Sequence, residues 1–160
     1  MTAGDIRAML ATLPHDLRGL RDRAILELLY ATGMRVSELI ALNLGDVDLK
    51  AGSVRCIGKG RKERIVPFGR PAALALEAYL PTRAKWRRGS EGDDEPLFVN
   101  QRGGRLSDRS VRRLLDAAVR RSADLAHLHP HVPQPRLPQH PLHLTDQPRP
   151  RHAPPQGREI

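Results

Sequence analysis

The chain has 160 residues, and its 27 lysines and arginines against 18 aspartates and glutamates give a formal net charge of +9 at pH 7. Such an excess of positive charge favours contact with nucleic acid, because cationic side chains neutralise phosphates and release bound counterions. The N-terminal MTAGDIRAML has no apolar core, so we expect no secretory signal, and no apolar run approaches the roughly 18 residues that span a membrane. We therefore expect a cytoplasmic protein that has no membrane partner.

Apolar residues recur at helical spacing near the start of the chain. A short helix over residues 3–12 is predicted to begin at the N-cap pair Thr2 and Asp5, a second helix ends at Gly33, and a third begins at once with RVSELIAL. The apolar positions behind these predictions are Ile6, Met9 and Leu10 in the first helix, and Leu20, Ala24, Leu28 and Ala31 in the second.

Two β-prone runs follow, SVRCI and ERIVPF, and the loop GKGRK joins them into a predicted antiparallel hairpin. Four basic side chains lie at or beside its turn: Lys59, Arg61, Lys62 and Arg64. One or two charges would keep a surface turn in solution, so the excess indicates an anionic partner. Cys56, the single cysteine, lies among apolar residues and is expected to be a packed thiol without a disulfide.

The sequence after the predicted hairpin again shows mostly helical spacing. Helical spacing returns at residues 71–80 and after Ser107 and Asp108, the predicted N-cap of a long helix, while PLFVN between them is a predicted short strand. The apolar face of the long helix comprises Val111, Leu114, Leu115, Ala118 and Val119, and its basic face comprises Arg109, Arg112, Arg113, Arg120 and Arg121. The basic face is either solvated or in contact with DNA phosphates. These elements predict a mainly α fold with a small antiparallel β-hairpin or sheet, in the α+β class.

The sequence pattern changes near residue 127. Nine of the 14 prolines and six of the seven histidines lie from that point onward, where no helical or strand period continues. Each proline removes a backbone donor, and the segment has few apolar residues to offset the cost of ordering. We predict a folded domain over residues 1–132 and a disordered tail, rich in Pro, His and Arg, over residues 133–160.

The run ATGMRVSELIALNLGDVDLKAGSVRCIGKGRKERIVPFG resembles the first half of the catalytic domain of tyrosine recombinases, most closely the Xer type and the phage integrases. The resemblance covers about residues 2–132. It implies the fold of the DNA breaking-rejoining enzymes, here incomplete, and double-stranded DNA as partner, with other recombinase protomers as a second partner that stays open. It also implies that Arg35, Lys59 and His131 belong to the active site and that no metal or nucleotide cofactor is needed.

The implied chemistry explains these residue types. Recombinases of this family attack a DNA phosphodiester with a tyrosine, and their side chains hold the charge on the phosphoryl oxygens. A guanidinium can grip two non-bridging oxygens, which suits Arg35, and a lysine ammonium can give a proton to the departing oxygen, which suits Lys59. The hairpin would place Lys59 in a DNA groove, with Arg61, Lys62 and Arg64 on neighbouring phosphates. Of the long helix, Arg109, Arg112 and Arg113 are the candidate DNA contacts.

Glu38 and the two tyrosines carry further predictions. Glu38 lies one helical turn past Arg35 and is well placed to orient its guanidinium; the alternative is an exposed helix acid with Arg23 or another base as its neighbour. Tyr30 and Tyr79 lie on apolar stripes of helices, so both are predicted to be core residues.

The sequence departs from the family pattern in the second half of the active site. The family motif P-H-x-x-R-H begins here as PHV at residues 130–132, so His131 matches its first histidine, but Gln134 stands where the arginine is expected. No G-H pair and no further tyrosine follow. The N-terminal clamp domain that most members carry is also expected to be missing.

Two explanations of the tail stay open. Either the reading frame shifts near codon 132, or the tail is a genuine disordered arm. The alternating histidines at 127, 129 and 131 flank Pro130 and supply no fixed geometry, so we predict no metal site.

Three functions compete on this sequence. The leading hypothesis is a DNA-binding fragment of a site-specific tyrosine recombinase that is catalytically inactive, because the second arginine and the tyrosine nucleophile are absent. The first alternative is an active recombinase that another chain completes in trans. The second alternative is a protein-interaction module that inhibits intact recombinases.

Overall fold

The computed structural model describes residues 3–87 and 92–128, with side chains as far as residue 124. In chain order the helices are α1 (Ala3–Ala11), α2 (Leu17–Thr32), α3 (Val36–Ala41), α4 (Arg70–Trp86) and α5 (Asp108–Leu128), and the strands are β1 (Val47–Asp48), β2 (Ser53–Ile57) and β3 (Glu63–Pro67). This confirms the predicted class, mainly α with a small antiparallel sheet. The predictions for Thr2, His131 and residues 133–160 lie outside the described residues.

Capping groups define where α2 begins and ends. Asp16 precedes the helix, and its Oδ1 accepts a hydrogen bond from the Gly19 N–H at 2.9 Å. Gly33 follows the helix with φ 63°, and its N–H donates to the Leu29 carbonyl. Glycine adopts this left-handed conformation at no steric cost, so the predicted stop at Gly33 is confirmed.

The three strands form an antiparallel sheet in the order β1-β2-β3. The hairpin of β2 and β3 is confirmed, and its register sets Val54 opposite Val66 and Cys56 opposite Arg64. Val54 and Cys56 are buried, so this face of the sheet packs on the core, and burial raises the pKa of the Cys56 thiol. The sequence analysis missed β1, because two residues are too short for a periodic signal.

Helix α4 is longer than the predicted 71–80 and continues through Pro81 to Trp86. Proline inside a helix removes one backbone hydrogen bond and favours a break. The helix continues because its buried face does: Tyr79, Thr82 and Arg83 are all buried on either side of Pro81, and α4 packs against α2. Tertiary packing here offsets the local cost of the proline.

The segment PLFVN is not a strand, which corrects the prediction. It forms two isolated bridges, Asn43 with Pro96 and Val99 with Arg105. Leu97, Phe98 and Val99 are all buried in succession, so the segment has no solvent face of the kind that an edge strand shows. It crosses the core instead, where the Tyr79 and Phe98 rings stack with centroids 5.5 Å apart.

Two apolar clusters form the core. The larger one joins α2, α3, α4, the sheet and the 97–98 segment, and the smaller one joins α1, Leu26 of α2 and Ala118 of α5. The apolar faces predicted for α1 and α5 lie in these clusters, with the exception of Val119, which is exposed. Within the described residues, no helix is long and apolar enough to cross a membrane.

Tyr30 is not a core residue, which corrects a second prediction. Its side chain is 46% exposed, whereas Tyr79 is fully buried as predicted. Tyr30 lies one turn beyond Leu26 on α2, past the part of the helix that the smaller cluster covers. Ala31, the last position of the predicted apolar stripe, is also exposed, because α2 leaves the core before it ends.

Candidate nucleic-acid interface

A tight loop carries the basic residues of the hairpin away from the sheet. The Gly58 N–H donates to the Lys62 carbonyl at 2.9 Å and closes the loop, which we call the hairpin tip (residues 58–62). Two successive residues have left-handed backbones, Gly60 at φ 75° and Arg61 at φ 57°. Glycine tolerates this conformation, but for an arginine it costs on the order of 1 kcal/mol. The side chains of Lys59, Arg61 and Lys62 are all exposed.

Arg35 is positioned by the start of α3. Gly33 ends α2, Met34 is buried and anchors the turn, and Arg35 follows as the N-cap of α3 with an extended backbone at φ −74° and ψ 153°. The Arg35 N–H donates to Glu38 Oε2 at 2.8 Å, so the backbone of Arg35 is fixed while its side chain stays exposed. This hydrogen bond is one of the two contacts of a capping box, the one that the side chain at the third helical position accepts from the N-cap backbone.

Arg35 and Lys59 meet at one surface depression, which we call the cleft. It has a volume of about 370 Å³ and is lined by Arg35, Ser37, Glu38, Ile57, Gly58 and Lys59. Helix α3 supplies one wall and the end of β2 with the hairpin tip supplies the other. The structure therefore brings together two cations that the sequence separates by a helix and two strands.

Glu38 forms a bidentate ion pair with Arg64 of β3. Its Oε1 accepts from Arg64 Nη1 at 2.8 Å, and its Oε2 accepts from Arg64 Nη2 at 2.9 Å. The Arg64 hydrogen bonds, followed by the Arg35 backbone N–H, lower the pKa of Glu38 from 4.5 to about 2. The prediction that Glu38 orients the Arg35 guanidinium is wrong in this respect, because the carboxylate holds the Arg35 backbone and a different guanidinium.

Arg64 was a candidate phosphate contact, and the structure gives its guanidinium an internal partner. Register explains the difference: Arg64 lies opposite the buried Cys56 and so shares the inner face of the sheet. Arg23, the other neighbour considered for Glu38, donates instead to the Leu10 carbonyl at 3.1 Å. Of the four basic residues at or beside the turn, Arg64 is the one that forms an ion pair within the described part of the chain.

Four cations around the cleft lack an internal partner. Within residues 3–87 and 92–124, no hydrogen bond or ion pair engages the side chains of Arg35, Lys59, Arg61 or Lys62. Elsewhere arginines pair with acids, for example Arg21 with Asp22 at 2.7 Å and Arg55 with Asp46 at 2.9 Å. Unpaired, exposed cations close together repel one another and favour a bound anion.

Helix α5 presents the second basic surface. Its predicted N-cap is confirmed, since the Ser110 N–H donates to Ser107 Oγ at 3.2 Å. Arg112 pairs with Asp108 one turn earlier, so its charge is partly offset. The exposed side chains of this face are Arg109, Arg112, Arg113, Arg120 and Arg121. Helix α5 contacts α3, the helix that Arg35 precedes as N-cap, so the two basic surfaces belong to neighbouring elements.

Arg105 has a role that the sequence analysis missed. Its Nη1 donates to the Ile40 and Leu42 carbonyls at 2.7 and 3.0 Å, and its Nη2 donates to Asn43 Oδ1 at 2.6 Å. These groups cap the C-terminal end of α3, whose carbonyls have no partner inside the helix. The three partners lie 62 to 65 positions earlier in the chain. No local sequence signal could therefore have indicated the contact.

His131, the third predicted active-site residue, lies outside the described residues, so the structure does not place it. The same holds for the histidines that we weighed as metal ligands at 127, 129 and 131, because side-chain description ends at residue 124. In the described part of the chain, no group of three or more His, Cys, Asp or Glu side chains could hold a metal ion.

Comparison with known proteins agrees with the resemblance seen in the sequence. A sequence model of the phage integrase family matches residues 1–133. Tyrosine recombinase XerC of Oceanobacillus iheyensis is 49% identical over 114 residues, and XerC of Corynebacterium efficiens is 52% identical over 111 residues. These alignments cover 71% and 69% of this chain but only 37% and 34% of the two relatives. The chain thus spans little more than a third of their length.

Solved structures give the same result for the fold. The crystal structure of XerA recombinase superposes with a TM-score of 0.65 at 25% identity, covering 77% of this chain and 42% of XerA. The pre-cleavage complex of XerH recombinase with its difH substrate gives a TM-score of 0.63 at 21% identity and covers 36% of XerH. At that identity the second match shows the fold alone. The fold, the A-T-G-x-R-x-S-E-L turn, the G-K-G hairpin and the family match over residues 1–133 together show that this chain belongs to the phage integrase family, in which it is similar to part of the XerC tyrosine recombinases.

Proposed function

We propose that this chain of 160 residues binds double-stranded DNA through the cleft and the hairpin tip and does not cleave it. The observation that carries the proposal is the convergence of four cations without internal partners: Arg35 at the start of α3, and Lys59, Arg61 and Lys62 on the hairpin tip. A duplex offers a closely spaced row of phosphates, which matches a group of exposed cations better than a single small anion does.

The residue types suit phosphate contact. Arg35 can grip two non-bridging oxygens with its planar fork, and Lys59 offers a compact ammonium on a flexible stem. By analogy with the family, these two side chains lie against the phosphate at the cleavage position. The exposed tip lies at the end of a hairpin whose strands are anchored in the core, so it can reach a groove while its base stays fixed. XerH, a neighbour in fold, is described as bound to its difH substrate, which supports duplex DNA as the ligand class.

The proposal of inactivity rests on the tyrosines. The chain has two, and the family chemistry needs a tyrosine as nucleophile. The Tyr79 hydroxyl is buried between the Leu97 carbonyl, to which it donates at 3.2 Å, and the Val99 N–H, from which it accepts at 3.1 Å. Burial raises the pKa of Tyr79 to about 12, which disfavours the phenolate. Tyr30 is exposed but does not line the cleft.

The binding half of the proposal is tested by the salt dependence of duplex affinity. Fluorescence anisotropy with a labelled duplex is measured from low to moderate salt for the wild type and for the double variant Arg61→Ala, Lys62→Ala. The log–log slope is expected to fall by about 0.9 for each phosphate that the variant no longer neutralises. The double variant Lys50→Ala, Lys85→Ala is the matched control, because it removes the same charge from exposed residues away from the cleft. Equal slopes for all three proteins would contradict the proposal.

The cleavage half is tested with a nicked duplex that traps covalent intermediates. An active recombinase stays attached to such DNA through its nucleophile after boiling in detergent. We expect no attached species from the purified chain, and equally none from Tyr30→Phe or Arg35→Ala. A trapped band that disappears in Tyr30→Phe would show that Tyr30 is a nucleophile and would overturn the proposed inactivity while leaving the binding result intact.

A further inference from the structure

The Glu38–Arg64 ion pair lies between the two cations of the cleft. Glu38 stands at the third position of α3 and is 7% exposed, and Arg64 reaches it from the inner face of β3. The carboxylate accepts three hydrogen bonds, two from the Arg64 guanidinium and one from the Arg35 backbone, at 2.8 to 2.9 Å. One side chain thus joins the residue that begins α3 to the strand that leaves the hairpin tip.

The other strand of the hairpin rests on the same ion pair. A Cβ atom added at Gly58 would lie 3.2 Å from Arg64 Nη1 and 3.6 Å from Glu38 Oε1. The backbone just before Lys59 therefore passes close to the paired charges, and a side chain at residue 58 would require the end of Arg64 to shift by a few tenths of an ångström. Hydrogen bonds join Arg35, Glu38 and Arg64, and the backbone of Gly58, the residue before Lys59, lies beside the ion pair.

We infer that Arg64 is a positioning residue, which sets Arg35 and Lys59 relative to each other by holding α3 against the hairpin, and that it does not contact phosphate. The inference rests on the proposed DNA contact of the cleft, because it explains how the two sides of the cleft keep one geometry. Glu38 holds one N–H donor on each Nη atom of Arg64, and its carboxylate offsets the charge of the guanidinium. Arg64 therefore attracts a phosphate less than an unpaired arginine does, and turning its guanidinium towards a phosphate would leave a buried carboxylate without its partner.

Arg55 provides a matched comparison. It lies on β2 with a side chain 49% exposed, against 45% for Arg64, and it also forms an ion pair, with Asp46. Its carboxylate partner, Asp46, belongs to the segment before β1. Within the described residues, Asp46 forms no hydrogen bond with α3 or with the hairpin tip. The two arginines therefore differ mainly in what their partners hold.

The test compares Arg64→Ala with Arg55→Ala and Arg61→Ala at a temperature where all are folded by circular dichroism. Two readouts are taken, the salt slope of duplex affinity and the hydrogen exchange of the Arg35 backbone amide. For Arg64→Ala we expect affinity to fall about tenfold with an unchanged slope, and Arg35 exchange to accelerate by about tenfold or more. For Arg61→Ala the slope should fall by about 0.9 with unchanged exchange, and Arg55→Ala should leave the Arg35 exchange unchanged.

A second variant separates positioning from simple loss of charge. Arg64→Ala leaves a buried carboxylate unpaired, whereas Arg64→Ala combined with Glu38→Gln keeps the net charge of the wild-type pair and an oxygen that can accept from the Arg35 N–H. In the double variant neither side chain can join α3 to β3, so we expect it to stay as impaired as Arg64→Ala in both readouts. Recovery of the affinity and of the Arg35 protection would trace the loss to the unpaired carboxylate and overturn the inference.

Failure of the inference and failure of the proposed function are distinguishable. If the wild type binds duplex and Arg64→Ala reduces the slope as Arg61→Ala does, Arg64 contacts phosphate and the inference is wrong while the function stands. If the wild type does not bind duplex, the proposed function is wrong. The exchange of the Arg35 amide then decides the structural part by itself: faster exchange in Arg64→Ala alone supports it, and equal exchange in all variants overturns it.

Discussion

The arginines that have partners within the chain and the cations around the cleft behave as two different sets. Arg55, Arg64 and Arg105 engage their guanidinium donors with carboxylates and helix-end carbonyls of the chain itself. Arg35 and Lys59 line the cleft, and their side chains have no such partner in residues 3–87 and 92–124.

Net charge alone therefore does not show where a protein contacts an anion. A guanidinium paired with a carboxylate adds less to an anion site, because the carboxylate offsets its charge and the internal contact restricts its orientation. An unpaired cation has neither restriction. Sorting the basic residues by their partners separates the paired arginines from the unpaired cations, and four of the unpaired cations, Arg35, Lys59, Arg61 and Lys62, lie at the cleft and the hairpin tip.

The largest effect on the paired set is expected at acid pH. Glu38 has a pKa of about 2 in the folded chain against an ordinary 4.5, so it stabilises the fold fully above about pH 4.5 and loses that contribution as the pH falls towards 2. Glu38→Gln should lower the free energy of unfolding at neutral pH and flatten its decline below pH 4.5, so that the two curves converge near pH 2. Urea denaturation at a series of pH values measures this.

Two other carboxylates, Asp22 and Glu27, also contribute to the pH dependence of stability, and their contribution has to be separated from that of Glu38. Burial raises the pKa of Asp22 and of Glu27 in the folded chain, so their contributions to stability change with pH in the opposite direction. Subtracting the Glu38→Gln curve from the wild-type curve removes both, because they are present in each protein. A difference that stays constant from pH 2 to pH 6 would show that the Glu38–Arg64 pair does not titrate as described.

A smaller effect is expected from Arg105→Ala. The variant leaves the carbonyls of Ile40 and Leu42 and the Asn43 side chain without their donor, and loss of such charged hydrogen bonds costs about 1.5–3 kcal/mol. Arg113→Ala is the control, since Arg113 is exposed and should change stability by no more than about 0.5 kcal/mol. Equal unfolding free energies for the two variants would remove the distinction between paired and unpaired arginines.

We expect the smallest change in stability from Arg61→Gly. This variant should keep or gain stability while it loses affinity for duplex DNA. Arg61 has φ 57°, a backbone region in which glycine is not strained, so the variant should be as stable as the wild type or up to about 1 kcal/mol more stable. Its affinity for duplex should nevertheless fall with the loss of the cation. A variant that loses both stability and affinity would place Arg61 in the paired set.

Local signals predicted much of the fold. The apolar spacing of α1, α2 and α5, the stop at Gly33 and the G-K-G hairpin are short-range features, and the structure confirms them. Helix α4 beyond Pro81 and the core-crossing segment at 97–99 were not predictable in this way, because in each case burial against distant elements overrides the local preference. The exposure of Tyr30 has the same origin, since it depends on where the packing partners of α2 end.

The site was predictable in part. Arg35 and Lys59 follow from the family resemblance, and the structure places both at the cleft. The pairing of Glu38 with Arg64, 26 positions apart, was not predictable from charge spacing, which suggested a helical neighbour instead. The strand register decides it, because Arg64 lies opposite the buried Cys56 and so points inward with its face of the sheet.

Lysine reactivity in the presence and absence of duplex DNA tests the central claim most directly. The chain has four lysines, all exposed in the structure: Lys50, Lys59, Lys62 and Lys85. Lys59 and Lys62 belong to the hairpin tip, whereas Lys50 lies in the turn between β1 and β2 and Lys85 lies in the last turn of α4. Acetylation followed by mass spectrometry is expected to show that duplex slows modification of Lys59 and Lys62 and leaves Lys50 and Lys85 unchanged. Equal protection of all four lysines, or protection of Lys50 and Lys85 alone, would contradict the account.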